Sequence, residues 1–185
     1  MPEFRDRLLA KQYVKSFLPA SLGDDAFAET VAEACLAKYQ KVTIPSPPPG
    51  VMALMIRRIS WVIRDEDLKA SDTFWKALAA AGGANFFRSS VTASAVVGLV
   101  SAAFSAFHAV RSFGVRLTIE QTQVLVALKK LETPSTPEEI ASALDTSLEK
   151  VNDNLSSLKT ARRADGSVIA VVASDNEGRW ACAGI

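Results

Sequence analysis

Soft metal ligands are nearly missing from this chain, which has two cysteines, Cys35 and Cys182, and one histidine, His108. Without a CxxC pair or a second histidine, neither a disulfide framework nor a Cys/His metal site can be assembled from its residues. An excess of charge is also lacking. Lys plus Arg total 21 against 20 Asp plus Glu, so a net charge of +1 gives no global field toward nucleic acid or anionic lipid. Any such contact has to come from a local patch. The phosphate-binding patterns GxxxxGK[ST] and GxGxxG and the nucleophile elbow GxSxG are absent, and Gly82-Gly83 is followed by no lysine that would reach a phosphate. His108 has no nucleophile or orienting acid singled out for it by sequence. The sequence reads as non-enzymatic, with no cofactor expected. Met1–Arg7 carries Glu3, Arg5, Asp6 and Arg7 with no apolar run, so no secretory signal is expected there and the reducing cytoplasm is the expected setting.

What is present is a well-packed composition: 185 residues, 49% of them hydrophobic, enough for one large or two small domains. Phe4, Leu8, Leu9, Tyr13, Val14, Phe17 and Leu18 recur at helical spacing up to Pro19, and Phe27, Val31, Ala34, Cys35 and Lys38 repeat the pattern after Asp24 and Asp25. Two amphipathic helices are expected. Pro45–Gly50 then interrupts with four prolines, which remove backbone donors and favour an extended conformation. It reads as a linker, with a groove-binding PxxP ligand as the alternative. Val51–Ile63 is apolar on nearly every face apart from Arg57 and Arg58, which predicts a largely buried helix. Ser71 or Asp72 can cap the next one, which buries Phe74, Trp75 and Leu78.

Ser89–Val110 is a run of 22 residues without formal charge. Its length suits a membrane span, but its eight strongly apolar residues contribute only about −0.3 to −0.6 kcal/mol each to insertion. Ser90, Ser94, Gly98, Ser101, Ser105, His108 and Ser112 follow at steps of three or four, making one small, polar stripe. The run is expected to be one helix inside a soluble bundle, with Val97 among its buried positions, and no membrane partner is favoured.

The second half is richer in local signals. Thr118 with Gln121 reads as a capping box, Thr136-Pro137 with Glu139 as a second, and Thr146 with Glu149 as a third, opening a helix to about Thr160 with Val151, Leu155 and Leu158 on one face. Two short helices joined at Asp145-Thr146-Ser147 have the spacing of a helix-turn-helix. Ser167–Ala173 and Arg179–Ala183 are β-rich runs separated by Ser174–Gly178, a hairpin by composition.

With its small residue Ala141 and its apolar positions Ile140, Leu144, Leu148, Val151, Leu155 and Leu158, the segment resembles the winged helix-turn-helix family over about residues 116–185. The hairpin is similar to that family's wing. The expected fold is therefore mainly α: a helical bundle over residues 1–114, free of strands up to residue 110, then a winged helix-turn-helix domain over 115–185 ending in a β-hairpin.

The resemblance implies DNA binding through the third helix, for which Lys150, Asn154, Arg162 and Arg163 are the candidate contacts. Charge argues otherwise. Residues 115–185 hold eight Lys or Arg against ten Asp or Glu, a net of −2, and Glu149 and Asp153 fall on the helix face opposite its apolar stripe. The leading expectation is thus an adaptor or regulatory protein whose third helix, through Glu149, Lys150, Asp153, Asn154 and Ser157, contacts another protein. The alternative is a DNA-binding transcriptional regulator with a helical sensing or dimerisation region. Self-association is compatible with both.

Overall fold

The computed structural model describes residues 1–22, 25–43, 58–80 and 92–183. The chain is mostly helical, with eight α-helices and three small antiparallel sheets of two or three strands among the described residues. In order these are β1 (Glu3–Phe4), α1 (Arg7–Lys15), α2 (Asp25–Leu36), β2 (Gln40–Thr43), β3 (Arg58–Val62), α3 (Asp65–Ala70), α4 (Asp72–Ala80) and α5 (Ala93–Ser112). There follow α6 (Ile119–Leu131), α7 (Pro137–Leu144), α8 (Leu148–Lys159), β4 (Ala161–Arg162), β5 (Val168–Ile169), β6 (Val172–Ser174) and β7 (Trp180–Cys182). Asp24, the proline-rich segment 45–50, Arg57, Gly82-Gly83 and the start of the uncharged run at 89–91 lie outside the described residues.

Three strands stand in the half expected to have none. They form one sheet in the order β1-β3-β2, with Phe4 opposite Trp61 and Val42 opposite Ile59. Of the helix expected over Val51–Ile63, residues 51–57 lie outside the described residues and Arg58–Val62 is a strand. The reason lies in Ile59-Ser60-Trp61-Val62: Ile59 and Trp61 share one face and buried Ser60 the other, a period of two carried by β-branched and aromatic residues.

The first helix also differs from its expected pattern. Asp6 caps α1 by accepting from the Leu8 and Leu9 amides, yet Leu8 and Leu9 are 57% and 53% exposed, and Ala10 and Val14 carry the buried face. Phe4 belongs to β1, and α2 ends at Leu36, leaving Lys38 in the turn beyond it.

Helix α5 is the axis of the packing. Thr92 caps it, and Val96, Leu99, Val100, Ala103, Phe104, Phe107 and Val110 are buried along it. Ser94 and Gly98 lie in the open, with Ser101, Ser105 and His108 half-buried, so the small-residue stripe is the face turned to water. Val97 is half-buried rather than part of the innermost row. By length and composition alone, α5 is the one helix among the described residues that would cross a membrane; here α2 and α6 pack along it. Gly114, with φ of +77°, turns the chain out of α5 in a left-handed conformation that a side chain would strain. Packing does not stop there, because α6 lies against α4 and α5 on one side and α7 and α8 on the other, and a single cluster of buried side chains runs from Ala10 to Val172.

Candidate functional site

The helix starts of the C-terminal part set its geometry. Thr118 and Gln121 form both arms of a capping box, as do Thr136 and Glu139 with Pro137 in the first turn. Asp145 then ends α7 at φ 49°, held by its own amide donating to Ser142 O and the Thr146 amide donating to Ala141 O. The third cap differs from expectation: Ser147, not Thr146, accepts the Lys150 amide, at 3.4 Å. The helix begins one residue later than the box requires, so Glu149 falls in its first turn instead of at the reciprocating position. Its carboxylate is left exposed.

On α8, Val151, Leu155 and Leu158 are buried against the core, and Glu149, Lys150, Asp153 and Ser157 are exposed. Leu148, 40% exposed, adds an apolar spot at the start of this face. Asn154 is half-buried and donates to Lys150 O at 2.8 Å, while Ser157 accepts from Gln121 Nε2 at 2.8 Å and is thereby tied to α6. Glu120, at the start of α6, is held below the ordinary carboxylate range, first by hydrogen bonds from its own amide and from Thr118 and then by the Lys150 charge. The one cation on the early face of α8 thus already has a carboxylate in its field.

The remaining cations point elsewhere. Arg162 is exposed in β4, past the far end of α8, and Lys150 to Lys159 spans about 14 Å of helix axis. Arg163 is half-buried with its guanidinium 5.6 Å from the Phe113 ring, at the end of α5, and its Nε makes no hydrogen bond. Lys159 stands 5.6 Å from the Trp180 ring. Neither aromatic partner was visible from sequence, because both pairs join residues far apart in the chain.

The expected hairpin is divided. β5 pairs with β4, while β6 pairs with β7, placing Val172 opposite Cys182 and Ser174 opposite Trp180. Val171 and Val172 are both fully buried, so the run cannot keep strand alternation and bends between the two ladders. Trp180 also exchanges backbone hydrogen bonds with Ser135, at 2.8 and 3.0 Å, docking β7 against the α6–α7 connection. At the hairpin tip the Asp175 carboxylate accepts from the Glu177 and Arg179 amides, and Arg179 pairs with both Asp175 and Glu177. Two acids against one occupied arginine make the tip anionic.

His108 lies far from this surface, beside the buried Ser71 with its Nε2 3.1 Å from the hydroxyl, and its ring centre is 4.3 Å from that of Phe104. Burial pushes its pKa below 6.5. Among the described residues no three His, Cys, Asp or Glu side chains are grouped to hold a metal ion. Comparison with protein-family models, with curated proteins and with solved structures finds no match to this chain.

Proposed function

We propose that this chain is a non-catalytic interaction protein in which the segment from α6 to β7 acts as a winged-helix module and presents α8 to another protein. Support for the winged-helix reading comes from the element order: a helix, a bridge at Ser135, two helices joined by a three-residue turn, and a hairpin whose last strand returns to that bridge. The observation that carries the partner assignment is electrostatic. Glu149 and Asp153 lie open on α8, whereas Lys159, Arg163 and Arg179 are engaged with Trp180, Phe113 and the acids of the hairpin tip. Such a face suits a protein surface bearing Lys or Arg, with Leu148 as the apolar contact. It opposes the phosphates of a duplex, against which two carboxylates would be desolvated with too few cations to offset them.

The test is a titration with duplex DNA at physiological salt. The wild-type chain should bind no tighter than about 10⁻⁴ M, the weak end of non-specific association. Glu149→Lys combined with Asp153→Lys should raise that affinity and steepen its salt dependence. Sequence-selective binding in the nanomolar range, lost on Lys150→Ala or Arg162→Ala, would instead establish the transcriptional-regulator reading.

A further inference from the structure

A cavity of about 420 Å³ opens between α5 and the N-terminal sheet, with no α8 residue in its walls. Its walls come from the turn after α2, the end of β3, the first turn of α3 and the α5 face that carries Phe104, Ser105 and His108. The size falls in the range of sites that enclose small organic molecules, about 300–1,000 Å³. Three rings line it: Tyr39 meets Phe104 edge-on with centres 6.3 Å apart, and Phe104 meets His108 in the same way. The Val62 amide donates to Tyr39 O at 3.1 Å, which fixes the Tyr39 backbone beside β3.

The charge around the cavity is mainly positive: Lys38, Lys41 and Arg64 are exposed and make no ion pair among the described residues, against one acid, Asp67. Asp65, next to Arg64, is hydrogen-bonded by the Tyr13 hydroxyl.

We propose that this cavity binds a small aromatic organic anion, its ring against Phe104 and Tyr39 and its acidic group toward the Lys38, Lys41 and Arg64 cations. The apolar rings explain the flat body, and the rim selects its charge. No residue of α8 lines the site, so it stands independently of what α8 contacts.

The experiment is a fluorescence titration of the full chain with anilinonaphthalene sulfonate, compared with its uncharged relative phenylnaphthylamine. The sulfonate should bind saturably at one site and more tightly than the neutral dye. Lys41→Gln and Arg64→Gln, both at exposed positions, should each weaken the sulfonate about two- to fivefold and leave the neutral dye unchanged. Ser105→Trp should abolish binding of both dyes by filling the cavity, with circular dichroism checking the fold. Sulfonate binding that is absent at millimolar dye, indifferent to the charge variants, or undiminished in folded Ser105→Trp protein would overturn the proposal.

Discussion

Ser71 has one hydroxyl proton, and the carbonyl of Asp67 takes it at 2.7 Å. The serine oxygen can then only accept from His108, whose Nε2 lies 3.1 Å away, so the ring is held as the neutral tautomer protonated at Nε2. Burial opposes the charged form, Asp67 opposes that trend and Arg111 reinforces it, and the folded-state pKa lies below 6.5. A depressed folded pKa means that stability is fully present above the unfolded value and is lost as pH falls from 6.5 through the folded value. As the sole histidine, His108 has this window largely to itself, since carboxylates titrate near pH 4. Thermal unfolding followed by circular dichroism from about pH 7.5 to about 5 should show a falling midpoint. His108→Gln, which keeps a donor for Ser71 and cannot become charged, should start from a lower midpoint and show a flatter fall. An equal slope in both proteins would show that protonation of His108 does not set this window. The same serine shows why a residue's role escapes the sequence: Ser71 has the composition of a helix cap, but its carbonyl accepts the Trp75 amide while its hydroxyl turns toward Asp67 and His108.

At the scale of elements, α5 tests how burial is graded around one helix. Val100 is fully buried, whereas Val97 is only partly so. An aspartate at Val100 would leave a charge with no route to water and should cost several kcal/mol, enough to unfold a domain of ordinary stability. The same change at Val97 lets the carboxylate reach solvent and should cost clearly less, as measured by urea denaturation of the two variants. Equal losses would place both positions in the same environment. The helices with caps at both the sequence and the structural level, α6 and α7, were legible because Thr118 with Gln121 and Thr136 with Glu139 act within four residues. β3 was not, because Val51–Ile63 is apolar apart from Arg57, Arg58 and Ser60, leaving helix and strand undistinguished by periodicity. Pairing with β1 and β2, distant in sequence, decided between them. Leu8 and Leu9 show the same limit in reverse: helical spacing marked them for burial, yet the neighbours of α1 reach only Ala10 and Val14. The exposure of Glu149 and Asp153 followed from 100° per residue on α8, but the engagement of Lys159, Arg163 and Arg179 depended on aromatic and acidic partners that tertiary folding or the hairpin supplies.

For the molecule as a whole, the decisive feature is α6. It belongs by sequence to the C-terminal part, but Val124, Leu125, Val126, Ala127 and Leu128 are all buried, and that is possible on a helix only when neighbours cover several faces. α4 and α5 supply one cover, α7, α8 and β7 the other. Removing either set would expose part of an apolar helix, so the two halves should stabilise one another and unfold together. The three tryptophans report on this, because Trp61 lies in β3, Trp75 in α4 and Trp180 in β7. In a variant retaining only Trp61, and in another retaining only Trp180, urea unfolding monitored by fluorescence should coincide with that variant's own loss of helical circular dichroism. Comparison within each variant removes the effect of the substitutions themselves on stability. If Trp180 instead changes at a lower or higher urea concentration than the bulk of the helix signal, the segment from α6 onward folds as its own unit, and the seam between α4 and α6 contributes little to holding the molecule together.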